Sequence, residues 1–226
     1  MKDSKRVFII YGLPGSGKGT QAEILADKFG LIHFNTGKVI EGIINDPEKL
    51  KDPLIQKQKY NFEQGLLCDP RWVTELVVEE LKNIYQQGKG VVFSGSPRTL
   101  YEAERIIPEL EKLYGKDNIT VIEIIIKPET SIFRNSHRKI CEQCGTPILY
   151  TKENENLKYC PKCGGKIVTR ALDEPAIIQT RIKEYQERTE PIYEFLNLRN
   201  IKIHRIDGEP LPEIVTENIL KSIHLQ

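Results

Sequence analysis

Short continuous apolar runs alternate along this chain with longer stretches in which apolar positions recur every three or four residues. The runs Arg6–Tyr11 (RVFIIY), Gly90–Phe93 (GVVF), Ile119–Ile126 (ITVIEIII) and Ile201–Ile206 (IKIHRI) have the length and β-branched content of buried strands, and Leu31–Phe34 is a shorter candidate. Helical periodicity marks Lys18–Phe29, closed by Gly30, and Arg71–Gln87, whose apolar face collects Trp72, Leu76, Val77, Leu81 and Ile84 ahead of Gly88. Leu100–Tyr114 is predicted to be a helix bent at Pro108. Pro175–Leu198 is predicted helical, with Pro175 suited to the first turn and Pro191 kinking or breaking it, and Pro212–Ile223 is an amphipathic helix. Strands that are apolar throughout and separated by helices predict a doubly wound α/β core of about five parallel strands covered on both faces.

Two stretches break this rhythm. Asn35–Leu67 is polar and helical in character, and Lys139–Leu172 holds two cysteine pairs and little apolar periodicity. Both are predicted to stand on the sheet as insertions. The division is a discontinuous core of 1–34, 68–138 and 173–226 carrying inserts at 35–67 and 139–172.

Composition narrows the picture. With 33 Lys+Arg against 32 Asp+Glu, the net charge of +1 offers no overall field for a nucleic acid or a membrane surface. The longest apolar runs, such as Val7–Ile10, fall far short of the ~20 residues a spanning helix needs. The N-terminus leads straight into a strand without a secretory cleavage pattern, so a cytoplasmic location is expected. A content of 39% hydrophobic and 29% charged residues excludes wholesale disorder.

Between the first strand and the first helix lies Gly12-Leu13-Pro14-Gly15-Ser16-Gly17-Lys18-Gly19-Thr20, a phosphate loop with glycine after the lysine where serine or threonine is usual. Backbone N–H groups of Gly15, Ser16, Gly17 and Gly19 are expected to converge on phosphate oxygens at a helix N-terminus. Lys18 is expected to reach the β- and γ-phosphates of a bound nucleotide, with the Thr20 hydroxyl near Mg2+.

Cys141-x2-Cys144 and Cys160-x2-Cys163 have zinc-knuckle spacing, with Gly145 and Gly164 following each second cysteine. Four thiolates close a tetrahedral shell, so the metal is structural, Zn2+ or iron. Free thiols and a zinc ribbon on nucleic acid are the rival readings. The second lacks a basic stripe with interleaved aromatics.

GLPGSGKGTQA resembles the phosphate loop of adenylate kinases and related nucleoside monophosphate kinases. Asn35-Thr36-Gly37, Gly95-Ser96-Pro97-Arg98-Thr99, Arg134-x3-Arg138 and Ile206-Asp207-Gly208 resemble further motifs of that family along most of the chain. The resemblance implies transfer of the γ-phosphoryl of Mg·ATP to a nucleoside monophosphate, AMP being the first expectation. It implies catalytic roles for Lys18, Arg98, Arg138, Arg170 and Arg181, with Arg134 beside the donor base. Thr36, Arg98, Glu102, Arg170 and Arg181 fall at monophosphate-binding positions. The cysteine insert resembles the family's zinc-bearing lid, and a monomer with no nucleic-acid or membrane partner is expected. Without the motif, Arg134 and Arg138 read equally as a solvated basic face.

Four positions at the acceptor and metal sites depart from the family pattern. Lys38 replaces an aspartate, Glu41 the phosphate-binding arginine, Ser94 an aspartate that holds metal-bound water, and Glu102 a glutamine that reads adenine. A carboxylate accepts hydrogen bonds only, and guanine presents two adjacent donors, so relaxed acceptor choice including GMP is one expectation. Glu102 as a surface helix residue, with a neighbour reading the base, is another. Glu41 and Ser94 would also suit a nucleotide-binding protein with little turnover, although the retained arginines argue against it. His137 replaces a glycine and is expected to stiffen the lid hinge. Asp173 is either a helix cap or the orienter of an arginine. Trp72 and Cys68 are expected in the core, and His33, His137, His204 and His224 suggest no metal set.

Overall fold

A computed structural model describes residues 5–148, 150, 154, 156–169 and 171–224. In chain order its elements are β1 (Val7–Tyr11), α1 (Lys18–Phe29), β2 (Ile32–Phe34), α2 (Thr36–Ile44), α3 (Pro53–Glu63), α4 (Pro70–Gln86), β3 (Val91–Phe93) and α5 (Leu100–Tyr114). There follow β4 (Ile119–Ile125), α6 (Pro128–Ser136), β5 (Lys139–Cys141), β6 (Pro147–Ile148) and β7 (Ile167–Thr169). The chain closes with α7 (Pro175–Glu184), α8 (Ile192–Leu198), β8 (Ile203–Asp207) and α9 (Pro212–Ser222).

Five strands form one parallel sheet in the order β2-β3-β1-β4-β8. Strand β1 lies at its centre, and all five of its residues are buried because both faces are covered. Alternate side chains sort to opposite faces. Val7, Ile9 and Tyr11 join Val91, Phe93 and Val121 beneath α4, α5 and α8, where Val77, Leu81, Ile106, Leu110 and Leu196 pack. Phe8 and Ile10 join Val92, Ile122 and Ile124 beneath α1 and α9, with Leu25, Val215 and Ile219. Polar caps start the helices as their sequences dictate. Asn35 accepts from Lys38 N, Asp52 from Leu54 N, and Asp69 from Arg71 N and Trp72 N.

Three local features centre on prolines, and the third is the break expected at Pro191. Helix α5 runs continuously through Pro108. Helix α6, absent from the periodicity reading, occupies Pro128–Ser136, where Pro128 suits the first turn. The helix ahead of Pro191 widens to a five-residue turn over Tyr185–Thr189, in which Glu190 N–H donates to Tyr185 O at 3.0 Å. Proline supplies no N–H and crowds the carbonyl four residues back, and a wider turn relieves both. The cysteine insert forms its own antiparallel sheet in the order β6-β5-β7. Among the described residues no helix is long and apolar enough to cross a membrane.

Candidate active site

The phosphate loop begins where β1 ends. Gly12 has φ +143°, and a Cβ there would lie 2.3 Å from Ile124 O and 2.6 Å from Ser16 Oγ, so only glycine permits this approach of loop to sheet. Gly17 caps α1 in the left-handed region, φ +92°, which a side chain rarely adopts. Lys18 Nζ donates to Gly12 O at 2.6 Å and Leu13 O at 2.8 Å. Thr20 follows Gly19 in the first turn of α1.

Three arginines from distant parts of the chain face this lysine. Burial first, then the guanidinium groups of Arg98, Arg181 and Arg138, push the Lys18 ammonium well below the usual lysine range. Clustered cations of this kind repel one another until an anion arrives. A polyphosphate is the chemistry that fits them.

Each arginine is held by a different element. Arg98 stands between β3 and α5, and Thr189 Oγ1, in the wide turn before Pro191, donates to Arg98 O at 2.8 Å. A Cβ on Gly95 would fall 2.9 Å from Arg98 Nη2 and 3.6 Å from Thr36 Cβ, which places the Arg98 guanidinium across Gly95 toward Thr36. Arg138 donates Nε–H to Asp173 Oδ2 at 2.8 Å and Nη2–H to Oδ1 at 2.5 Å, a bidentate grip on a carboxylate with 0% side-chain exposure. Arg181 on α7 lies 3.7 Å from the same carboxylate. Helix α7 is capped at Glu174 with no side-chain bond, so Asp173 orients arginines and does not cap. Arg134 donates to Gly208 O at 2.9 Å and Glu209 O at 2.8 Å, joining α6 to the loop after β8. Arg170 lies outside the described residues.

Helix α6 contributes what periodicity missed. Ser131 Oγ donates to Pro14 O at 2.7 Å, and a Cβ on Gly15 would come 2.6 Å from Nδ2 of the fully buried Asn135. The phosphate loop is therefore clasped from above by two small polar residues one helical turn apart. Their spacing in Ser131-x3-Asn135-x2-Arg138 was the available signal.

Glu102 is buried, 2% exposed, on the first turn of α5. One carboxylate oxygen accepts from Arg98 N–H at 2.8 Å and the other from Thr99 Oγ1 at 3.0 Å, while Glu102 N–H donates back to Thr99 Oγ1. Thr99-x2-Glu102 is thus a variant of the capping box, in which the glutamate returns to the N–H of Arg98, one residue before the cap, and to the Thr99 hydroxyl. Burial raises the carboxyl pKa, opposed by the bonds from Arg98 and Thr99 and by the charges of Arg98 and Arg188. Glu102→Ala would leave a buried N–H and hydroxyl without their acceptor and is expected to cost about 1–3 kcal/mol, measured as denaturant midpoint or Tm.

The four expected metal ligands converge. The sulfurs of Cys141, Cys144, Cys160 and Cys163 all lie within 4.8 Å of one another, with Cys141–Cys163 at 3.5 Å and Cys144–Cys160 at 3.7 Å. A tetrahedral zinc with bonds of about 2.3 Å spaces its sulfurs at nearly this separation, so the donor set fits the ion. The knuckles turn at Gly145 and Gly164, φ +66° and +74°. Lys38, on α2, reaches the first knuckle, its Nζ 3.4 Å from where a Gly145 Cβ would stand. His137 ends α6 with Nδ1 2.8 Å from Phe133 O and packs between the Phe133 and Tyr150 rings at 4.4 and 4.7 Å. Cys68 is buried in the core, and Trp72 packs against it partly buried.

A family model described as adenylate kinase matches residues 10–201. The adenylate kinase of Chlamydia pneumoniae is 34% identical over 218 residues, 96% of this chain and 97% of that protein. That of Kosmotoga olearia is 33% identical over 217 residues, 96% and 98% of the two chains. That of Caldicellulosiruptor saccharolyticus is 31% identical over 225 residues, 97% and 99%.

Proposed function

Because the chain belongs to the adenylate kinase family, we propose that it transfers the γ-phosphoryl of ATP reversibly to AMP, forming two ADP. The observation that carries this reading is the convergence of Arg98, Arg138 and Arg181 on Lys18. A protein that only held a nucleotide would have no use for three guanidinium groups around one lysine. A transferring phosphoryl, with charge spread over its equatorial oxygens, needs them.

Gly15, Ser16, Gly17, Lys18, Gly19 and Thr20 bind the donor phosphates, and Arg134 lies beside the donor base. Mg2+ bound with ATP would neutralise phosphate charge during transfer. The hydroxyls of Thr20 and Ser94 suit a cation that keeps several of its waters. Arg98 holds the acceptor phosphate next to Thr36, whose buried Oγ1 has no partner among the described residues. Arg138, Arg170 and Arg181 clamp the moving group. The acceptor phosphate oxygen is already ionised, so no general base is required. Inserts 35–67 and 139–172 close over the core, a reading supported by the approach of Lys38 to the Gly145 knuckle. The chain acts as a cytoplasmic monomer, a compartment that suits four metal-bound thiolates.

One Glu102 oxygen already accepts from Arg98 N–H and the other from the Thr99 hydroxyl, which favours a neighbour as the reader of the acceptor base and AMP as the acceptor. A coupled assay of nucleoside diphosphate formation from Mg·ATP with AMP, GMP, CMP and UMP tests this. Activity on AMP exceeding GMP by about a hundredfold or more in kcat/KM is expected, the discrimination a buried polar edge can supply. Comparable GMP activity would return Glu102 to the role of base reader. ATP binding without turnover on any acceptor would overturn the kinase reading.

A further inference from the structure

The wide turn ahead of Pro191 frees a hydroxyl that a regular helix would keep to itself. Thr74, Thr180 and Thr216 lie inside α-helices, and each donates to the carbonyl four residues back, at 2.6, 3.1 and 2.9 Å. Thr189 behaves differently. Four residues before it stands Tyr185, whose carbonyl accepts from Glu190 N–H, the bond that widens the turn. A hydroxyl has one proton to give, and Thr189 gives it to Arg98 O at 2.8 Å, 91 residues away in sequence. Thr189 is 2% exposed, which shields the bond from water.

Arg98 is thereby held from both sides. Its N–H donates to Glu102 at 2.8 Å, and its carbonyl accepts from Thr189. The two holding residues come from different elements, Glu102 from the first turn of α5 and Thr189 from the segment between α7 and α8. A residue fixed at both N–H and carbonyl has little play in its two torsions, so the guanidinium that leaves it across Gly95 is aimed. The turn is itself anchored. The hydroxyls of Tyr185 and Tyr193 hydrogen-bond across it, and Tyr193 packs edge-on at 5.5 Å against Tyr11, the residue before Gly12. Just ahead of the turn, Glu184 accepts from Leu67 N–H at 2.9 Å, where the 35–67 insert ends. Thr189 therefore sits on a brace tied both to the start of the phosphate loop and to that insert.

We infer that Thr189 is a positioning residue for the acceptor: its hydroxyl fixes the Arg98 backbone so that the guanidinium meets the phosphate of the monophosphate. The inference deepens the phosphoryl-transfer reading above and rests on it for the role of Arg98. Steady-state kinetics with Mg·ATP and AMP test it, together with calorimetric titration of AMP, which needs no turnover.

Thr189→Val keeps the branched shape and removes the donor. It is expected to weaken AMP binding and raise the KM for AMP about tenfold, the loss of one hydrogen bond of ordinary net strength, with the KM for ATP within about twofold of the parent. Thr189→Ser keeps the donor and should stay within about threefold of the parent for AMP. A merely structural role would lower Tm without that split, because molecules that remain folded would bind AMP as the parent does. Parent-like AMP binding in Thr189→Val would overturn the inference. So would an equal rise in both KM values, or a loss in Thr189→Ser as large as in Thr189→Val. Should Thr189→Val not fold, Thr189→Ala compared with Thr189→Ser isolates the same hydroxyl. A parent protein that binds AMP without forming ADP would strike the phosphoryl-transfer reading and leave the binding test of Thr189 standing.

Discussion

Arg138→Met is expected to lower kcat by about a thousandfold or more while moving the KM for ATP far less, the range known for arginines that meet a transferring phosphoryl. The split follows from where the charge is needed. On the proposed reading the loop and Lys18 hold the ground-state phosphates, and the guanidinium matters most as charge shifts on the oxygens in flight. Arg138→Lys is expected to recover little of the loss, because an ammonium cannot span both Asp173 oxygens as the observed fork does. Asp173→Asn leaves the shape of the tether but removes its charge, loosening Arg138 and Arg181 together. A displacement of about 1 Å at a reacting group costs on the order of a hundredfold, and kcat should fall by that much with Tm recorded in parallel. A variant at 173 with full kcat and normal kinetics would show that these arginines keep their aim without the carboxylate.

The parts of this protein that sequence makes legible are those governed by local rules. A run such as RVFIIY, followed by a glycine loop and a 3.6-residue period, fixes a buried strand, a turn with positive φ and a helix, because each is set by neighbours within a few residues. The cysteine spacing is legible for the same reason, since each knuckle closes locally. What stayed hidden depends on partners far apart in the chain. Asp173 is ambiguous in sequence because either a helix start or an arginine satisfies a carboxylate. Only the proximity of Arg138, 35 residues away, decides it. Glu102 reads as a surface helix position or a base reader, and the structure buries it, with its carboxylate on the Arg98 N–H and the Thr99 hydroxyl, a link that the spacing Thr99-x2-Glu102 allows. Helix α6 is too short and too polar on average to show its period, and what stabilises it is contact with the phosphate loop. Pro191 signals a break, but not that the resulting wide turn delivers Thr189 to the carbonyl of Arg98.

Removing metal from the four-thiol site is expected to abolish phosphoryl transfer while leaving the core folded. The cysteine insert has little else to hold it. Its strands are two or three residues long, and among its described residues Ile148 is the only buried apolar side chain besides Cys141 and Cys160. Closing so small a unit against chain entropy falls to the ion, whose binding is worth roughly 10–16 kcal/mol in isolated zinc-finger peptides. Cys144 and Cys163 are exposed, so a chelator can reach the ion. After chelation, protease is expected to cut within 139–169 while the rest of the chain resists, and the main thermal transition, which reports the β2-β3-β1-β4-β8 sheet, should move by only a few degrees. Cys160→Ser should behave like the chelated protein, and Zn2+ added back should rescue only the chelated parent. Full turnover in a preparation whose metal content is far below one ion per chain would mean that the insert folds on its protein contacts alone. The Tyr150–His137–Phe133 stack would then be the place to look for the missing stability.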